Sequence, residues 1–122
     1  MTDLADTHDQ SQRQPTRWYA CSGFQRDLLL AIATHDRLDE CPYGLALREW
    51  LDARYPDDVG PSRVYTNLDT LIEAELVTRE SVDNRTNAYR LTDAARTTLA
   101  CHGQFVEALN LQSMVADARL QR

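Results

Sequence analysis

Hydrogen-bonding side chains crowd one side of a short stretch of this chain: Ser62, Arg63, Thr66, Asn67 and Thr70. Hydroxyls, an amide and a guanidinium are the groups that can pair with base edges in a major groove. Interleaved with them, Val64, Leu68, Leu71, Ile72 and Leu76 repeat at the 3.6-residue period. That spacing predicts an amphipathic helix with its apolar stripe on a core and its polar face outward. Gly60 suits the N-cap and Pro61 the first helical position, where a missing N–H costs nothing. The N-terminus of such a helix presents free N–H groups and the positive end of its dipole, a ready phosphate site.

A small β-hairpin is expected next. Residues 77–81 and 88–91 can pair as antiparallel strands, with residues 82–87 as the tip. Asp83-Asn84-Arg85 is turn material that leaves Arg85 exposed. Alternation puts Tyr89 and Leu91 on one face and Arg90 on the other. A helix followed at once by a hairpin is the layout of a winged-helix DNA reader. On that plan Ser62, Arg63, Thr66, Asn67 and Thr70 face bases, while Tyr65, Asn84 and Arg85 touch the backbone or the minor groove. Two helices should precede and brace it. The first, over residues 24–35, buries Phe24, Leu28, Leu29, Ala31 and Ile32. The second, over 45–55, turns Leu47, Trp50, Leu51 and Tyr55 inward and offers Arg48 and Arg54 to phosphates.

Beyond the hairpin the pattern changes. Thr92 suits an N-cap and Asp93 the first turn. A long helical pattern follows, with Leu99, Phe105, Val106, Leu109, Leu111, Val115 and Leu120, kinked or divided at Gly103. It carries more apolar surface than one small domain can cover, and pairing with a second copy covers it economically. Leu99, Phe105, Val106, Leu109 and Val115 are the expected dimer seam. A two-fold pair of reading helices would address half-sites about one helical turn, ~34 Å, apart. The fold class is therefore mainly α with a small hairpin: a flexible arm (1–17, with Arg13 and Arg17), a winged helix-turn-helix (18–92) and a helical dimerisation region (93–122).

Composition sets the conditions. All 13 basic residues among the 122 are arginine, against 19 acids, for a net charge of −6 and a pI near 4.9. A basic surface is the usual footprint of a DNA reader. Acidity without lysine instead fits a protein working in high salt. At molar salt the Debye length falls to about 3 Å, so distant acids no longer repel phosphates while contacts still act. Inorganic cations held at the DNA interface are a further expected partner. The longest apolar run, residues 28–33, is too short for a membrane span or signal segment, so a cytoplasmic location is expected.

Little in the chain suggests catalysis. His8, His35 and His102 are isolated, and Cys21, Cys41 and Cys101 form neither a CxxC pair nor a zinc spacing. Glycine-rich phosphate loops are lacking, so neither metal nor cofactor is expected. The cysteines read as small core residues, with direct redox sensing as the sharper alternative. Against DNA reading stands a winged-helix interaction module that docks protein instead. Such a module would expose aliphatic or aromatic groups where this helix exposes hydroxyls, an amide and an arginine.

The run Gly60-Pro61-Ser62-Arg63-Val64-Tyr65-Thr66-Asn67-Leu68, then Leu76-Val77 and Tyr89-Arg90-Leu91-Thr92-Asp93-Ala94-Ala95, resembles the PadR family of transcriptional regulators. The resemblance covers about residues 24 to 122. Within the family it points to haloarchaeal regulators of the oxidative-stress response. It implies a proline-led recognition helix with a tyrosine in its first turn, a wing closed by Tyr-Arg-Leu-Thr, and homodimers on double-stranded DNA. One departure is specific: the family's usual Glu-Gly-Leu before the first wing strand is Ala74-Glu75-Leu76 here, without the helix-ending glycine.

Overall fold

Ser22 starts the first helix with a complete capping box. Its hydroxyl accepts from the Gln25 backbone N–H, and the Gln25 side chain accepts from the Ser22 N–H. The structure, a computed structural model, describes residues 17–120. Its elements are α1 (Gly23–Arg37), α2 (Gly44–Asp52), α3 (Pro61–Glu73), β1 (Val77–Ser81), β2 (Asn87–Leu91), α4 (Asp93–Ala108) and α5 (Leu111–Leu120). The fold is the expected winged helix with a C-terminal helical extension. The expected arm lies outside the described residues except for Arg17, which belongs to a helical turn over 17–20.

Helices α1, α2 and α3 share one core. Leu28, Leu29, Ile32, Leu47, Leu51, Val64, Leu68 and Leu71 are buried in it, joined by Leu76 from the turn after α3 and by Val77 and Leu91 from the hairpin. Trp50 and Tyr55 sit at its edge, half-buried. α2 ends earlier than its sequence pattern suggests. The Asp52 carboxylate accepts the Val59 N–H at 2.9 Å, which organises the turn into α3.

α3 also stops short of Leu76, the last residue of its predicted stripe. The Glu75 N–H bonds to Ile72 O and the Leu76 N–H to Leu71 O, both at 3.0 Å. This is a Schellman ending, which requires a left-handed residue. Glu75 takes that role at φ 62°, at the position where the glycine of the resemblance is missing. Leu76 still reaches the core, but from outside the helix.

The hairpin pairs Val77 with Leu91 through to Ser81 with Asn87, so β2 starts one residue earlier than expected. Tyr89 and Leu91 are buried, and Arg90 pairs with Glu80 at 3.3 Å on the other face. A bridge between Tyr43 and Ala88, with the Tyr89 N–H donating to Pro42 O at 3.0 Å, ties the hairpin to the residues before α2. Ala88 is buried beneath that bridge.

Thr92 joins three elements. Its hydroxyl donates to Glu75 O at 2.8 Å and accepts from the Ala95 N–H at 3.1 Å, while its own N–H donates to Leu76 O at 3.1 Å. α4 then runs through Gly103 without a break, so the expected division of the helix does not fall there. A lone helical glycine lowers stability by about 1 kcal/mol but keeps its hydrogen bonds. The division falls instead at Asn110, φ 52°, because asparagine tolerates the left-handed region. Past its midpoint α4 leans on the 17–20 turn, where the rings of Trp18 and His102 stack at 4.4 Å. Arg26 lies 5.4 Å from the rings of both Trp18 and Tyr19, and Arg17 donates to Ala74 O at 2.6 Å. Burial raises the Cys21 thiol pKa, although Arg26 and Arg17 pull it down. Among the described residues no helix is long and apolar enough to cross a membrane.

The strained ending of α3 generates a prediction. A non-glycine residue in the left-handed region costs roughly 1 kcal/mol. Glu75→Gly should therefore raise unfolding stability by about that amount, read as a higher midpoint in urea. Glu75→Ala should leave it nearly unchanged. A glycine variant no more stable than the parent would show that Glu75 is not strained.

Candidate nucleic-acid interface

The capping of α3 follows the sequence: Gly60 is extended at the N-cap, Pro61 opens the helix, and no side chain covers its first N–H groups. Around the helix the polar residues divide by neighbour. Ser62, Thr66 and Thr70 form an exposed line one helical turn apart, and the Thr70 hydroxyl donates to Thr66 O at 3.2 Å. Toward α1, Arg63 lays its guanidinium over Phe24 at 4.1 Å and near Tyr55 at 5.4 Å. One turn on, Asn67 donates to Arg63 O at 2.7 Å and accepts from Gln25 Nε2 at 3.0 Å. Two of the residues expected to face bases are thus engaged with the neighbouring helix.

On the other flank α3 meets the wing and α2. Asp69 and Arg79 lie 3.6 Å apart, both well exposed, a pair that contributes little to stability. The Tyr65 ring covers the start of α2 so closely that a Cβ on Gly44 would stand 2.5 Å from a ring carbon. Only glycine admits that approach without moving the ring. α2, like α3, begins without a side-chain cap. An open groove of about 790 Å³ runs between this start and the wing, lined among others by Tyr43, Gly44, Tyr65, Arg79, Arg85 and Tyr89. It joins an uncapped helix N-terminus to two arginines, groups that suit a phosphate, and to two carboxylates, Glu49 and Asp83, that would oppose one unless a cation intervened.

The wing tip is a defined turn. The Val82 N–H donates to Thr86 O at 2.9 Å, and Asp83 accepts from the Arg85 N–H at 2.9 Å, which holds the Asp83 carboxyl below its usual pKa. Asn84 and Arg85 are exposed at the tip. Arg48 is turned inward, donating to Val59 O at 2.7 Å from a half-buried position. Arg54 is exposed, stacked 3.6 Å from the Trp50 ring centre. A hydrogen bond to Cys41 raises the Tyr43 pKa, and burial raises that of Tyr89.

Of the expected dimer residues, Leu99 packs partly against the domain's own core and Val106 is half-buried. Phe105, Leu109 and Val115 are exposed by 56%, 49% and 52%, and Leu111 and Met114 are exposed as well. Among the described residues no group of His, Cys, Asp or Glu could hold a metal. Tyr43, Gly44, Arg79 and Gln25 were not singled out by sequence reasoning. Gly44 and Tyr65 meet only through the tertiary fold, and no spacing within either helix announces the contact.

Residues 36–101 match the sequence profile of the transcriptional regulator PadR-like family. Among solved structures, RosR of H. salinarum grown from NaBr is 31% identical, covering 84% of this chain and 96% of its own, with a TM-score of 0.57. The hsRosR–S4 complex is 27% identical over 80% and 88%, at 0.65. MepR of S. aureus, solved with DNA, is 17% identical over 95% and 90%, at 0.61, a likeness of fold. Curated protein sequences yield no match.

The Tyr55 phenol offers a test of the seam between α1 and α3. Burial, then its hydrogen bond to Asp27, push its pKa up to about 12, with Arg63 opposing. The native state then holds the proton more tightly than the unfolded chain, whose phenol titrates near 10. The stability this contributes is full below pH 10 and is lost as pH rises toward about 12. A phenolate absorbance step near 12, absent in Tyr55→Phe and lower in Asp27→Asn, is expected. If Tyr55→Phe removes a step near 10 instead, the hydrogen-bonded seam is wrong.

Proposed function

The chain belongs to the PadR-like family of transcriptional regulators, and we propose that it acts as a homodimer that reads a pseudo-palindromic DNA site at high salt, within a stress response. The observation that carries this reading is the exposed hydroxyl line of Ser62, Thr66 and Thr70, with the phosphate-suited groove beside it. The line enters the major groove and contacts bases. Tyr65, Arg79 and Arg85 hold the adjoining backbone, and Asn84 at the wing tip approaches the minor groove. Arg48 acts indirectly, by fixing the turn before α3.

Support for dimerisation comes from the exposed apolar residues of α4 and α5. Large apolar side chains exposed together on a small domain mark an interaction surface, and an isologous pair buries the same face on both copies. Replacing Leu109 with Arg should give monomers by light scattering and abolish operator binding, since a single half-site binds weakly. A variant that remains dimeric would move the seam to another face.

The stress element comes from the family resemblance carried by the recognition helix and wing motifs, and the salt element from the acidic, lysine-free composition. Asp69, Glu73 and Asp83 lie exposed on α3 and the wing. Next to phosphates these carboxylates need cations, and cation uptake opposes the counterion release that makes binding fall with salt at roughly −0.9 per phosphate on log scales. Affinity measured from ~0.1 M, where the Debye length is about 10 Å, into molar KCl should decline ever less steeply, or rise. Asp83→Asn should restore part of the ordinary slope. A steep decline throughout, identical in the variant, overturns the cation role. A protein with no preference among sequences selected from a random DNA pool overturns DNA reading itself.

A further inference from the structure

The geometry points to Arg63 as a positioning residue that sets the pitch of the recognition helix on α1, rather than one that touches bases; this rests on the DNA-reading proposal. Phe24 and Tyr55 meet edge to face, centroids 5.6 Å apart at 81°. The Arg63 guanidinium covers this two-ring notch, and the Tyr55 hydroxyl donates to Asp27 of α1. A planar guanidinium stacks on aromatic faces in a way an ammonium cannot match. The next turn repeats the arrangement by another means, with Asn67 bridging Arg63 O and Gln25 of α1. Positions 63 and 67, one turn apart on the same flank, thus both join α3 to α1.

A guanidinium lying on Phe24 is not free to fork onto a guanine in the groove. The line of Ser62, Thr66 and Thr70 runs beside this flank, one residue round the helix from it, and spans about 12 Å at 1.5 Å per residue. Tilting α3 about its contact with α1 shifts every member of that line at once. Loss of the Arg63 contact should therefore blur recognition along the whole half-site, whereas loss of a base contact blurs it at one position.

The test selects the preferred site of the full-length protein from a random DNA pool, then measures affinity for every single-base variant of that site. It compares the parent with Arg63→Gln, Arg63→Lys, Phe24→Leu and the Arg63→Gln/Phe24→Leu double variant. Arg63 is exposed, so its replacement should leave the fold intact. Arg63→Gln should lower affinity for the selected site roughly tenfold, the scale of one lost base contact. Discrimination should shrink evenly across the half-site while affinity for random DNA is retained. Phe24→Leu should reproduce that profile, and the double variant should add little to either, because both remove one contact. Lysine should rescue only in part. Loss confined to one or two base positions, full rescue by lysine, additive single variants, or an unchanged profile would each overturn the inference. A pool that yields no preferred site would overturn DNA reading and this inference with it.

Discussion

The left-handed turn at Glu75 is the constraint around which the molecule is arranged. The recognition helix must end there and the chain must reverse into β1 at once, because Leu76 and Val77 are both needed in the core. The carbonyls released at that corner are taken by Thr92, whose hydroxyl bonds Glu75 O and whose N–H bonds Leu76 O. One residue thus closes the wing, fastens it to the end of α3 and starts α4. Arg17 adds a third hold through Ala74 O. The reading helix is clamped at its C-terminal end by backbone chemistry and at its N-terminal end by side chains on α1. Its central outer face is left for a ligand.

That division explains why a uniformly polar helix face serves two purposes. Ser62, Thr66 and Thr70 are short and keep their hydroxyls near the helix. Arg63 and Asn67 lie beside α1 and are used there, and Asp69 is paired across to the wing. Tyr65 lies on Gly44 at the mouth of the groove. Which polar residues stay free for a ligand is decided by the neighbours of each flank, since all of them share the same helix surface.

The elements of the fold were legible because their signals are local. Proline after an extended glycine started α3, the Thr92-Asp93 pair started α4, and alternation placed Tyr89 and Leu91 inside. The missed features are of two kinds, local signals carried by an unusual residue and contacts between residues far apart. The Schellman ending of α3 was hidden by a glutamate where glycine is usual, so the apolar period overran the true end of the helix. Gly103 looked like a break because composition cannot tell an accommodated glycine from a kink, while Asn110 carried the break. In the site, the polar face was recognisable as a face, but its partition was not. Nothing in the spacing of Arg63 reveals that Phe24 and Tyr55 converge beneath it, or that Gly44 makes room for Tyr65.

The arginines stacked on rings, Arg26 on Trp18 and Tyr19, Arg54 on Trp50, Arg63 on Phe24, have a chemical corollary in a chain whose basic residues are all of this kind. A guanidinium does not lose its proton at any pH the fold survives, and no side chain carries a primary amine. Acylation of lysine, the common enzymatic means of erasing positive charge from a DNA-associated protein, has no target on these side chains. Changes in their electrostatic balance must come from carboxylates, hydroxyls, thiols or the surrounding ions, so the salt of the medium becomes part of how the protein is tuned.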